Sequence, residues 1–132
     1  NQPADQEWVI FPATPISKEP LGPTYGQNDS AWADAVNWTV YAMIIMDEYG
    51  ITSATVDSHV GDAGEVGRLL GGDGELQTVM GLSADAFYQV IKQVGNYGEV
   101  YDSNLNPVGL YREGSSNAGW LDGGLIYSPP AR

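Results

Sequence analysis

Four prolines fall within twelve residues, at Pro12, Pro15, Pro20 and Pro23, and they limit what this chain can fold into. Each fixes φ, removes a backbone donor and pushes the residue before it out of helical space. Residues 12–23 therefore cannot form a helix or a central strand. What remains is an extended connector, at a sheet edge or between two bodies, with a plain surface loop as the simpler alternative. Before the connector, Glu7-Trp8-Val9-Ile10-Phe11 is apolar, β-branched and aromatic and is stopped by Pro12, so it reads as a strand. A shorter strand is expected within residues 21–25. After the connector, Asp29-Ser30 supplies an N-cap for a helix over residues 30–49 that Gly50 ends.

That helix carries Trp32, Val36, Val40, Met43 and Ile44 at three- and four-residue spacing, while Trp38, Tyr41 and Ile45 extend the apolar surface to a second side. A helix of this kind is expected to be sandwiched between layers. Thr52 or Ser53 can cap a short helix through His59, and residues 62–70 read as another, weakened by Gly64 and Gly67. A Gly71-Gly72-Asp73-Gly74 loop follows. Ser83 is placed as the cap of the next helix, with Leu82 packing on Phe87 and with Phe87, Val90, Ile91 and Val94 inward; a Gly95-Asn96-Tyr97-Gly98 break interrupts it. Beyond Pro107 the chain is glycine-rich, with short apolar pieces at residues 108–111 and 124–127, the latter a strand or hook before Pro129 and Pro130. The fold class is α+β, mostly helical with few strands.

The 132 residues fit one domain with a real core. The net charge is −12, and the five basic residues, Lys18, Arg68, Lys92, Arg112 and Arg132, are scattered. Phosphate backbones need clustered Lys and Arg, so a nucleic-acid partner is excluded. No cysteine is present, which removes disulfides and thiolate metal sites. The longest apolar run, residues 41–46, is too short to span a bilayer. No signal peptide is visible and the chain starts at Asn1, so processing, excision or proteolysis is expected.

No catalytic constellation appears. The glycines from Gly61 to Gly74 lack the G-K-[ST] triplet of a phosphate loop and the preceding strand of a dinucleotide site. Asp57, Asp62, Asp73, Glu65 and Glu75 fit no calcium-loop register. His59, the single histidine, has only helix neighbours Ser58 and Ser53 as nucleophile candidates, which point away from it. The Asn37-Trp38-Thr39 sequon lies inside the expected helix and reads as chance. An enzyme is not expected, and catalytic residues, metal ligands and cofactors are all assigned as none.

Several segments, taken in order, resemble one family. These are EWVIFP at residues 7–12, ISKEPLGP at 16–23, AVNWTVYAM at 35–43, GITS at 50–53, RLLG at 68–71, GLSAD at 81–85, YQVIKQVGNYGE at 88–99, then Trp120, GGL at 123–125 and YSPPAR at 127–132. Together they resemble the C-terminal part of the periplasmic general L-amino-acid-binding proteins of ABC transporters. The resemblance implies the C-terminal portion of a two-lobed, type II periplasmic-binding-protein α/β fold. Residues 1–16 would be a remnant of the second lobe with its last strand. Residues 17–26 would be the hinge crossover, with Ser17, Lys18, Glu19, Pro20, Leu21 and Gly22 as hinge residues, and residues 27–132 the C-terminal half of the first lobe.

The implied function is that of part of the solute receptor of an ABC amino-acid importer. The partners would be an L-amino acid, for the full-length protein only, and the transporter's membrane subunits, in a periplasmic location. In such receptors an Arg and backbone amides hold the ligand's carboxylate and an Asp its amino group, in segments before this one. No Arg or Asp here matches those roles, so the ligand-binding residues are expected outside the chain, and tight amino-acid binding by it alone is not. The alternative is a stand-alone interaction module without solute binding. Self-association of the fragment is expected from unpaired edges and an undercovered helix.

Overall fold

The computed structural model describes residues 16–17, 20–72 and 75–132. The expected strand at Trp8 to Phe11 lies outside the described residues, as do Lys18 and Glu19 of the hinge and Asp73 and Gly74 of the glycine loop. Five α-helices follow the connector: α1 (Ser30–Glu48), α2 (Gly64–Leu69), α3 (Glu75–Val79), α4 (Ala86–Val94) and α5 (Tyr97–Leu105). Single 3-10 turns occupy Val56–His59, Asn106–Val108 and Trp120–Asp122. Among the described residues, β structure amounts to one parallel bridge between Gly119 and Ile126. The helical part of the expected class is therefore present.

The ends of α1 follow from its sequence. The Asp29 side chain accepts a hydrogen bond from Trp32 N at 3.0 Å, satisfying one orphan donor of the first turn. At the other end Gly50 adopts φ +66°, Ile51 N donates to Met46 O at 2.8 Å and Gly50 N to Asp47 O at 3.0 Å. This pair of bonds is a Schellman stop, and the residue after the glycine, Ile51, is buried as that motif favours. α1 is the hub, packing against α2, α4 and α5. The core joins Ala42, Ile45 and Met46 of α1 to Val56, Leu69, Leu70, Phe87 and Ile91, with Ala131 of the tail inserted among them.

Several expectations are corrected. Residues 20–26 carry no strand, because Pro20 and Pro23 remove donors and no described strand lies beside them to pair with. The sandwiched helix is covered most fully toward its C-terminal end: Ala42, Ile44, Ile45 and Met46 are buried, whereas of its first half only Ala35 is buried, Trp32 is exposed and Val36 is half-buried, as is Val40. α4 begins at Ala86 rather than Ser83, whose carbonyl instead accepts the Ala86 amide at 3.0 Å. Val94 is exposed and not inward; Phe87 and Ile91 are the buried pair. The helix expected to run through His59 from Thr52 or Ser53 is shorter and tighter: Thr55 N and Val56 N both donate to Thr52 O in a turn, and a 3-10 turn then occupies Val56–His59. The piece at residues 124–127 is a hook with one bridged residue, not a strand. The helix expected over residues 62–70 starts at Gly64.

α3 had no counterpart in the sequence reading. A five-residue helix is too short to form on propensity; this one is fixed by Gln77, which is fully buried and donates through Nε2 to the Arg68 and Leu69 carbonyls, both at 2.9 Å. These are end-of-helix carbonyls of α2 that lack a partner within the helix.

Candidate functional site

Four of the hinge candidates, Ser17, Pro20, Leu21 and Gly22, lie among the described residues and are exposed. Ser17 sits in a bend, and Pro20, Leu21 and Gly22 carry no regular secondary structure. The segment touches the helical body where Tyr25 Oη accepts from Asn37 Nδ2 at 3.4 Å.

Two clefts open where α1 meets the C-terminal hook. The larger, about 730 Å³, lies between the last turns of α1, the end of α5 and residues 111–126. Its fixed point is Arg112. The guanidinium meets Asp47 Oδ2 at 2.5 Å and Oδ1 at 3.3 Å, donates through Nε to Asn117 O at 3.2 Å, and lies 5.3 Å and 5.9 Å from the ring centres of Tyr97 and Tyr101. Burial would lower its basicity, but the Asp47 carboxylate outweighs that and the guanidinium holds its proton more tightly than usual. The pair rests on Gly98, where an added Cβ would lie 2.4 Å from both Arg112 Nη1 and Asp47 Oδ1.

Arg68 is likewise committed, donating to the Ala131 carbonyl at 2.7 Å, while Glu65 Oε1 accepts the Ala131 amide at 2.5 Å. The two side chains clamp one residue of the tail, whose methyl group is buried in the core. Arg112 is thus paired with Asp47, and Arg68 holds the tail.

The remaining singled-out residues are dispersed. Asp57 accepts from Tyr88 Oη at 2.9 Å and pairs with Lys92 at 2.8 Å, His59 Nδ1 lies 2.7 Å from Asp62 Oδ2, and Glu75 starts α3. Among the described residues no group of His and carboxylates could hold a metal ion. Among those residues, too, no helix is long and apolar enough to cross a membrane.

Sequence reasoning missed two carboxylates. Glu99 closes a capping box with Asn96 and reaches across to Ser53, accepting from its amide at 2.9 Å and its hydroxyl at 2.7 Å. Burial pulls its carboxyl upward, but the hydrogen bonds from Asn96 and Ser53 prevail and leave it below its usual value. The N-x-x-E spacing at residues 96–99 was a usable signal. Glu48, by contrast, is raised, chiefly by burial, with Glu65 and Asp47 adding like charge against hydrogen bonds from Ser128 and Trp120. Nothing in the sequence marks Glu48, since its neighbours come from the distant hook.

No family model matches the chain. Individual proteins do. The glutamate/glutamine/aspartate/asparagine-binding protein BztA of Rhodobacter capsulatus is 42% identical over 129 residues, 94% of this chain and 37% of its own length. The general L-amino acid-binding periplasmic protein AapJ of Rhizobium johnstonii is 43% identical over 132 residues, 96% of this chain and 38% of its own length. A solved ABC transporter periplasmic binding protein from Brucella ovis, with glutathione bound, superposes with a TM-score of 0.74 at 41% identity, covering 80% of this chain and 34% of that one. The chain is a partial relative of the periplasmic amino-acid-binding proteins of ABC transporters. It spans under two-fifths of the length of the amino-acid-binding relatives it matches, and its helical fold is that of a portion of such a protein. Those relatives are binding proteins.

Proposed function

We propose that this chain is the scaffold and hinge portion of the solute receptor of an ABC amino-acid importer. Residues 1–16 are the last part of the second lobe, residues 17–26 the crossover, with Ser17, Lys18, Glu19, Pro20, Leu21 and Gly22 as its hinge, and residues 27–132 the C-terminal half of the first lobe. In the complete receptor an L-amino acid is captured between the lobes in the periplasm and passed to the transporter's membrane subunits; the chain is no enzyme. The observation that carries this reading is the collinear likeness over 94–96% of the chain to proteins more than twice as long.

The geometry supports a scaffold role over an autonomous receptor. Arg68 and Arg112 both bond internally, which favours a carboxylate clamp supplied by the rest of the receptor. Half a cleft leaves polar recognition groups competing with water. Calorimetry of the chain with a panel of L-amino acids and glutathione is expected to give no saturable heat in the micromolar range. Micromolar binding of any of them would overturn the scaffold assignment.

A further inference from the structure

Residues 35–46 of α1, twelve in a row, carry no charge; the charged residues of this helix are Asp34 before them and Asp47 and Glu48 after. A helix at a protein surface carries charged side chains on the face turned to water, and one that lacks them is covered on more than one side. The two small polar side chains of the stretch are already engaged. Thr39 Oγ1 donates to Ala35 O at 2.7 Å, and Asn37 Nδ2 to Tyr25 Oη at 3.4 Å. Yet the fold fills one side of α1 best. Ala42, Ile45 and Met46 enter the core, whereas Trp32, Val36 and Val40, a second line at four-residue spacing, are exposed or half-buried. Trp32 leads this line at 56% exposed.

We propose that the Trp32–Val36–Val40 line is the seat of the rest of the receptor, an apolar surface from the part of the protein that lies outside this chain. The inference rests on the receptor reading above and names the face through which the scaffold joins its remainder. Three observations choose this occupant. The relatives that match 94–96% of the chain are more than twice as long, so a larger body is there to cover the helix. The crossover at residues 17–26 enters α1 at its Asp29 cap, the end where the line is barest, which tethers the chain leading into it beside that face. A second copy is disfavoured because each carries a charge of −12. A membrane is disfavoured because no described helix is long and apolar enough to cross one.

The chain has no cysteine, so Val36→Cys introduces a single thiol whose modification rate reads the cover over the line. The rate is measured in the chain at high dilution and in a hybrid receptor, where the chain replaces the matched 38% of the Rhizobium johnstonii relative; the hybrid without the introduced thiol is the blank. Labelling in the hybrid is expected to be slower by about tenfold or more. Trp32→Lys should move the melting temperature of the chain by less than about 2 °C and lower that of the hybrid by about 5 °C or more. A hybrid that binds L-amino acids yet labels as fast as the chain, or melts unchanged with Trp32→Lys, would overturn the face and leave the receptor reading standing. A hybrid that protects Val36→Cys but binds no amino acid would uphold the face and contradict that reading. Protection in the chain alone that rises with concentration to the hybrid's level would make a second copy the occupant and overturn the proposal. A hybrid that fails to melt cooperatively overturns it as well, since complementary faces should close.

Discussion

Gly98 sits in the first turn of α5 directly beneath the Asp47–Arg112 pair, and replacing it with alanine sets two effects against each other. Alanine in place of glycine favours a helix by up to about 1 kcal/mol. The new methyl would lie 2.4 Å from both Arg112 Nη1 and Asp47 Oδ1, so both must move. Their side chains are only 16% and 20% exposed, so the displaced charges do not simply return to water. Hydrogen bonds between charged groups contribute about 1.5–3 kcal/mol each. Loss of the stronger bond alone outweighs the helix gain, and Gly98→Ala should destabilise the chain by about 1–2 kcal/mol. For a domain of this size that lowers the melting temperature by roughly 3–10 °C. Circular dichroism melts and urea titrations read it. In an Asp47→Ala/Arg112→Ala background the obstruction is gone, and the same substitution should be neutral or stabilising. A Gly98→Ala chain that melts at or above its parent would refute the reasoning.

Two carboxylates should give opposite pH signatures in the melt. Glu99 is held below its usual value in the folded state, so its stabilisation is present above the ordinary glutamate range, about pH 4.3, and fades as pH falls through the folded value. Glu99→Gln should lose stability at neutral pH and differ little from the parent in acid. Glu48 is raised, so the folded state favours its proton and stability falls as pH rises from the ordinary range through the folded value. Glu48→Gln should therefore match the parent in acid and gain on it at neutral pH. Separately, Ile16, Leu21 and Trp32 are exposed along the connector and the first turn of α1, and the isolated chain should self-associate. Repulsion from the charge of −12 is screened over about 8 Å at physiological salt. Light scattering across a dilution series should show a mass that rises with concentration; a constant monomer mass would contradict this.

Some features decided by local chemistry were legible in the sequence, although the Asn96–Glu99 capping box was missed and the start of α4 misplaced. The α1 boundaries came from Asp29 and Gly50, and the α4–α5 break from Gly95, which adopts φ +106°. Both signals act within a few residues. Features set by distant partners were not visible. α3 exists because Gln77 reaches the carbonyls of α2, and Glu48 is perturbed because the hook folds back over α1. The exposure of Trp32 has a similar cause: it belongs to the apolar stripe of α1 that was expected in the core, but a stripe specifies only that something covers it. The family resemblance was legible as ordered short segments, and the comparisons agree with it. The hinge was inferred from the proline-rich connector and from that resemblance, although such a composition suits a surface loop as well.

The central claim is that this chain supplies the scaffold portion of an amino-acid receptor, and a chimera tests it most directly. The matched 38% of the Rhizobium johnstonii relative would be replaced by this chain, and amino-acid binding measured by calorimetry beside the unmodified relative. The account predicts a cooperatively folding chimera that binds L-amino acids within about tenfold of the relative's affinity, a difference of about 1.4 kcal/mol. A chimera that melts cooperatively yet binds no amino acid would contradict it.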